Sequence, residues 1–518
     1  MAPGKTGIIQ NINCEVGCMQ KFHSALSRRD FMKGIGLAGI GLGSASVTAP
    51  VFHDMDEVIL SPNANKQKNP WWMKERPYMD PTTEVDWDVI QRWDGRKYDS
   101  FSKQFSPEVI QQVQAEAKQI TEDGIRNNKP GFTMKDHAFI NSAYNVIQRM
   151  SYRIPVDGGP EDNQKYACFM GDQKMLDEIS APEDLGIPKL QGTPEENGRM
   201  IRSLLRFHGA FRVRFLEVDD RVKKMVYAGD ARHPEQPWVF EDVDKPYVSK
   251  TKMVIPNTYK YAIVFSTRGS FDGTLRTGCW IGGGVALNQC LSADYPQLYL
   301  QRFMKAIGYG AVGSDDASGF TSYPGIGALA GHGELGRIGH LIGSEQWLRC
   351  TRLMLTDLPV GPMDNPIDFG AAKFCVTCRK CREACPVGAP NDENDPTWEA
   401  PKMDGNPYFK PELFNNPGKK VWPLNHALCR KYWNQRTDTY TNRSNICGIC
   451  MSACVFQKLH KGSIHDTVRA MVASTPIFNS FFTNMDKAFG YGPLDENKWE
   501  EWWDLQDNMP EHGLGSMA

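Results

Sequence analysis

Cys375-Val376-Thr377-Cys378-Arg379-Lys380-Cys381-Arg382-Glu383-Ala384-Cys385-Pro386 is the stretch from which the rest of the chain is best read. Its spacing is Cys-x2-Cys-x2-Cys-x3-Cys-Pro. Three thiolates at this spacing curl around one face of an iron–sulfur cube, and a fourth, set before proline, points away to serve a second cube. Zinc suits four thiolates or mixed cysteine and histidine pairs better than this run.

The second cube needs its own set. Cys447-x2-Cys450-x3-Cys454 supplies the last three positions of the same pattern. The missing first position falls on Ser444, and Cys429 is the nearby cysteine that can substitute. Under the crossed arrangement of bacterial two-cluster ferredoxins, one 4Fe–4S cluster takes Cys375, Cys378, Cys381 and Cys454. The other takes Cys429, Cys447, Cys450 and Cys385. Two cubes in one small domain make a wire.

The wider composition supports a metal reading. The 518-residue chain has 14 cysteines, and eight fall between Cys375 and Cys454, where even scatter would place about two. The length leaves room for two to four domains. Hydrophobic residues at 41% and charged residues at 23% are ordinary for a soluble protein. A formal charge of −2 lacks the basic surplus of a nucleic-acid binder.

Residues 1–50 read as an address. Ser27-Arg28-Arg29-Asp30-Phe31-Met32-Lys33 precedes a Gly/Ala/Ile/Leu run from Gly34 to Val47, the pattern of a twin-arginine signal, with processing expected between Ala45 and about residue 62. That route carries folded proteins, so clusters can be inserted before export; disulfides, the usual fate of exported cysteines, are not expected. Gly34-x-Gly36-x-x-Gly39 follows a charged motif rather than a strand, so it is no dinucleotide site. Cys14 and Cys18 would leave with the signal, and Met19 is a candidate true start. No other run of 18 apolar residues occurs, so membrane attachment would need a partner.

The remaining chain divides by texture. Residues 51–190, rich in Pro, Trp and Asp, read as an N-terminal wrapping region with one helix over Val109 to Ile120. Thr193-Pro194-Glu195-Glu196 marks a helix start, followed by Met200, Ile201, Leu204, Leu205 and His208 at helical spacing. Tyr261 to Phe265 reads as a buried strand, and Leu300, Phe303, Met304 and Ile307 mark a helix ending at Gly308. Helix–strand alternation predicts an α/β core over 191–365, a ferredoxin-like domain over 366–460 and a C-terminal tail over 461–518 packing on the core. Cys168, Cys279, Cys290 and Cys350 read as ordinary thiols.

Further motifs carry a resemblance. Val254-Ile255-Pro256-Asn257-Thr258, Gly308-Tyr309, Thr356-Asp357-Leu358-Pro359, Pro366-Ile367-Asp368-Phe369-Gly370 and the tail from Phe478 to Tyr491 join the export motif and the split cysteine signature. Together they resemble the respiratory reductive dehalogenases, corrinoid iron–sulfur enzymes of organohalide respiration. The resemblance implies an α+β fold, with a nitroreductase-like core holding a base-off corrinoid under the ferredoxin domain. The absence of an Asp-x-His-x-x-Gly motif, which neither Asp136-His137 nor His332 fits, agrees with a cobalt lacking a protein histidine. A tyrosine would protonate the carbanion left by the halogen, helped by a cation. The family's tyrosine position falls on Cys290, so Tyr295 is the candidate donor; the cation maps to Arg349 and a polar pocket residue to Asp316. Trp280, Tyr299 and Trp347 are candidate pocket walls. Implied partners are a small organohalide such as a chlorinated ethene, a small membrane anchor protein at the outer face of the cytoplasmic membrane, an upstream electron donor and a second copy in a homodimer. The rival readings are another corrinoid iron–sulfur reductase of this fold and a non-catalytic two-cluster electron carrier.

Overall fold

Thr193, Pro194 and Glu196 build the start of the first core helix. The Thr193 hydroxyl accepts from the Glu196 amide, the Glu196 carboxylate accepts from the Thr193 amide, and Pro194 occupies the first helical position. The computed structural model describes residues 69–142, 176–231, 234–313, 320–343, 350–440, 445–458 and 463–504. The helices that matter for the site are, in chain order, α1 (Pro107–Arg126), α2 (Met134–Ser142), α3 (Pro194–Phe207), α4 (Trp280–Leu291), α5 (Asp294–Ala306), α6 (Ala371–Thr377), α7 (His426–Asn434), α8 (Ser463–Ser474) and α9 (Asn479–Ala488).

The core is a four-stranded antiparallel sheet of β1 (Ala210–Glu217), β2 (Tyr261–Thr267), β3 (Ala311–Val312) and β6 (Cys350–Thr356), in the order β1-β2-β6-β3. Between β3 and β6 the chain makes a separate hairpin, β4 (Gly333–Leu335) with β5 (Leu341–Gly343). β2 and β6 are buried almost end to end because both sheet faces are covered. Successive residues alternate between two cores. Ala262, Val264, Leu353 and Leu355 pack with Val222, Trp238, Ile255 and Ile326 on one face. Ile263, Phe265 and Met354 meet Ile201 and Leu205 of α3 and Leu300 and Met304 of α5 on the other. Gly308, at φ +89°, ends the last helical turn where the sequence places the stop.

The wrapping region is more regular than its composition suggests. The helix expected at Val109 to Ile120 runs from Pro107 to Arg126, capped by Ser106, and α2 follows it. Its buried stripe is Val113, Ala117, Thr121 and Gly124, small residues that let it lie close to α7. Farther back, Lys74–Glu75 pairs antiparallel with Ile367–Asp368, immediately before the cysteine-rich segment. Asp364 secures that approach: it is buried, accepts from Arg214 (2.8 Å) and Arg202 (3.0 Å), and also from the Phe215 amide (2.9 Å). All described residues belong to one compact unit. None of their helices is long and apolar enough to cross a membrane.

Candidate functional site

The β4–β5 hairpin presents two charged side chains to the cysteine segment. Buried Glu334 accepts from the amides of Phe369 (2.8 Å), Ala371 (3.0 Å) and Ala372 (3.4 Å), and so caps α6, the helix that carries Cys375. Gly370, just before it, sits at φ +82°, where a Cβ would lie 2.6 Å from the Val472 carbonyl. Only glycine lets α6 start there against α8. At the hairpin tip, buried Arg337 donates to the carbonyls of Cys375, Val376, Cys378, Asn391 and Glu393, with its guanidinium 5.1 Å from the Trp422 ring. One side chain thereby gathers the loop that holds the first three cysteines.

Burial pushes the Glu334 carboxyl up to about 7, against the three amides that favour its charge. A raised folded value means the folded state holds the proton longer than the unfolded one. Stability from this group is therefore present below about pH 4.5 and is lost as pH rises to about 7. Relative to Glu334→Gln, which cannot titrate, the wild-type protein should lose on the order of 3 kcal/mol across that window. Denaturant unfolding of both proteins at several pH values checks this, and parallel pH profiles would refute it.

None of the eight clustered cysteines is in a disulfide. The short helices Lys380–Glu383 and Ile449–Ser452 carry Cys381 and Cys450 and pack on one another. Each is followed by the same turn, Cys385 donating its amide to Arg382 and Cys454 donating its amide to Met451. The thiols fall into groups drawn from both segments. Burial pushes the Cys375 thiol up, and nearby Cys454 and Cys378 add to the shift. Cys381 is raised by burial and by Cys375, Cys454 and Cys450 beside it. Cys429, on α7, is pushed up to about 12 by burial, with Cys447 and Cys385 as its thiol neighbours. The Ala389 amide donates to the Cys385 sulfur (3.4 Å) and the Ile449 amide to the Cys447 sulfur (3.5 Å). Among the described residues, no three His, Cys, Asp or Glu side chains converge tightly enough for a single metal ion. Ser444 lies outside the described residues.

A cavity of about 580 Å³ opens beside the second group. Pro386 and Val387, which follow Cys385, form part of its wall, with Tyr432, Arg436, Glu116 and Asp123 opposite. On the core side, α4 approaches closely because it begins Trp280-Ile281-Gly282-Gly283-Gly284. A Cβ on Gly283 would lie 2.0 Å from the Asn445 side-chain oxygen.

The remaining site residues are scattered. Tyr295 stands in the first turn of α5, 49% exposed, and donates to the Tyr299 hydroxyl (3.1 Å); Tyr299 stacks on His208 at 4.0 Å. Arg349, Asp316 and Trp347 lie outside the described residues, as do Cys168 and the whole export segment. Trp280 is wholly buried against Phe132. Cys279, Cys290 and Cys350 are buried and lie in no disulfide. Sequence reading missed Glu334 and Arg337, although the glycines around them (Gly331, Gly333, Gly336, Gly339) signal a tight hairpin. It also missed Arg352, which is fully buried beside Cys290. Arg352 donates to the Cys290 carbonyl (2.8 Å), pairs with Asp294 (2.6 Å) and lies 5.2 Å from the Tyr323 ring.

Known proteins share this chain's sequence and fold. The reductive dehalogenase subunit family matches residues 68–269. A chloroethene reductive dehalogenase of Dehalococcoides mccartyi (strain VS) is 31% identical over 93% of this chain and 98% of its own length. A trichloroethene reductive dehalogenase from another strain of that species is 28% identical over 93% and 97%. Among solved structures, the catabolic reductive dehalogenase NpRdhA superposes with a TM-score of 0.51 over 81% of this chain and 49% of its own, at 19% identity, a likeness of fold alone. Sequence identity sustained along nearly the full length of a curated relative makes this chain a member of the reductive dehalogenases, the corrinoid-dependent oxidoreductases that replace halogen by hydrogen on organohalides.

Proposed function

We propose that this enzyme dechlorinates a chlorinated ethene as the last step of anaerobic respiration, drawing electrons through two 4Fe–4S clusters to a base-off corrinoid. The observation that carries the electron path is the grouping of thiols from two distant segments: Cys375, Cys378 and Cys381 near Cys454, and Cys429 near Cys447 and Cys385. A cube holds its thiolates farther apart than a single ion does, so spread groups of sulfurs with amide donors suit it. The Cys447-x2-Cys450 spacing assigns Cys450 to the second set, although it also neighbours Cys381. In this reading, residues 366–460 form the ferredoxin domain, the sheet with helices on one face and mixed structure on the other is the nitroreductase-like core, and the cavity beside Pro386 admits electrons from an upstream donor. The substrate class rests on the first two relatives, which are named for chloroethene and trichloroethene.

When bound, the corrinoid supplies a low-valent cobalt able to attack the halogen or pass it an electron. A corrinoid without a protein ligand to cobalt accords with where the two histidines singled out from the sequence are engaged. Both ring nitrogens of His332 are in hydrogen-bonding contact, with Ser266 (3.0 Å) and the Val264 carbonyl (3.2 Å), while His137 pairs with Asp438 (3.0 Å). The overall change is R–Cl plus two electrons and one proton giving R–H and chloride. The protein must deliver that proton. Tyr295 is the proposed donor, with Arg349 the cation that would stabilise its phenolate and Asp316 the polar residue at the cofactor. The closeness of Arg352 to the Tyr323 ring favours Tyr323 as a second reading, since a guanidinium nearby stabilises a phenolate. We place the mature enzyme at the outer face of the cytoplasmic membrane, exported by the twin-arginine route and held by a small membrane protein.

The test is anaerobic purification of the holoenzyme, metal analysis and a panel of chlorinated ethenes, alkanes and aromatics. Cobalt near one and iron near eight atoms per chain, with chloride release fastest from ethenes, is the expected outcome. Iron without cobalt after reconstitution would favour a bare electron carrier. Turnover should fall at least about tenfold in the Phe variant of the true donor. Undiminished turnover in Tyr295→Phe with loss in Tyr323→Phe would transfer the role.

A further inference from the structure

The C-terminal segment brings charge to the first group of cysteines. Lys380 lies between Cys378 and Cys381 in sequence, and Lys458 lies four residues after Cys454. Both are buried, and both ammonium groups meet one buried carboxylate, Asp486 of α9. Lys458 stands 2.8 Å from Asp486, and Lys380 also donates to the Tyr491 carbonyl. The Tyr491 ring covers the Lys458 ammonium at 4.2 Å. Asp486 and Lys380 are close enough to Cys378 to act on its charge, Lys458 is similarly close to Cys454, and the Thr483 hydroxyl is in reach of the Cys378 sulfur. Within this trio two cations and one anion leave one net positive charge, out of water, against sulfurs of the first group, and Arg337 adds a further cation to that group.

We propose that Lys380, Lys458 and Asp486 set the reduction potential of the cluster held by Cys375, Cys378, Cys381 and Cys454, the two lysines raising it and Asp486 restraining them. An added electron makes an iron–sulfur cube more negative, so a nearby buried cation stabilises the reduced form and a nearby anion opposes it. The effect is local. The Cys429 thiol has Cys447 and Cys385 as its thiol neighbours, with Arg430 as its cation. The three residues are positioning groups that act through the cluster, and the inference rests on the two-cluster reading above.

An anaerobic redox titration of the holoenzyme, followed by electron paramagnetic resonance, tests it. The wave lost in Cys454→Ser identifies the first cluster. Lys458→Met removes one positive charge and should shift that wave to lower potential; Asp486→Asn should shift it higher. The double variant restores the wild-type net charge and should return the wave close to its original position, with the second wave unmoved throughout. Lys458→Gln, which keeps a donor for Asp486, should behave as Lys458→Met. A first wave that does not move in either single variant, or a double variant displaced further than both, would overturn the proposal in favour of a purely structural role. Iron near four atoms per wild-type chain would instead sink the cluster reading itself.

Discussion

Replacing Cys454 by serine is expected to reduce the iron content from about eight to about four atoms per chain and to abolish chloride release. The reason lies in which thiols stand together. Cys454 is closest in sequence to Cys450 and Cys447, yet its neighbours in space include Cys375 and Cys381. In the proposed crossed assignment its loss would open the first cluster, while Cys429, Cys447, Cys450 and Cys385 would keep the second. Cys385→Ser is the mirror case, since Cys385 neighbours Cys429 and should cost the second cluster only. Iron analysis with electron paramagnetic resonance would distinguish the two variants by which signal survives. If Cys454→Ser and Cys385→Ser removed the same signal, the crossed assignment would be wrong.

Arg337→Met should destabilise the protein by at least about 3 kcal/mol and weaken cluster retention. The methionine fills much of the volume and leaves five carbonyls, those of Cys375, Val376, Cys378, Asn391 and Glu393, without their shared donor. Several of these groups are buried, so water cannot replace the guanidinium without opening the hairpin interface. Arg337→Lys keeps the charge but not the planar fork, and should recover only part of the loss. Thermal unfolding and the rate of iron release to a chelator provide the measurements. A variant with wild-type iron retention would show that the cysteine loop holds its shape without the hairpin.

Much of this was legible from local chemistry. The Thr193–Glu196 cap, the β2 strand, the Gly308 stop and the cysteine spacing are all short-range signals, and the structure has a helix start, a strand and a helix end at the first three. What the sequence conceals is long-range. Glu334 and Arg337 look like ordinary charges in a Gly-rich loop until folding sets them under α6. Lys380, Lys458 and Asp486 are separated by up to 106 residues and carry no motif. Helix α1 was only partly visible because its buried stripe includes Ala117, Thr121 and Gly124, which a search for large apolar residues passes over. Tyr295, five residues from Cys290, lies on the exposed side of α5, while the cation nearest the Cys290 carbonyl among the described contacts is Arg352, whose role only the folded chain reveals.

The pairing of Lys74–Glu75 with Ile367–Asp368 has a bearing on biogenesis. Lys74–Glu75 finds its partner only after nearly three hundred further residues have been made. During synthesis this short strand therefore emerges long before anything can pair with it. The ladder closes only once the chain is complete through the β4–β5 hairpin, so its closure reports that the core has been made in full.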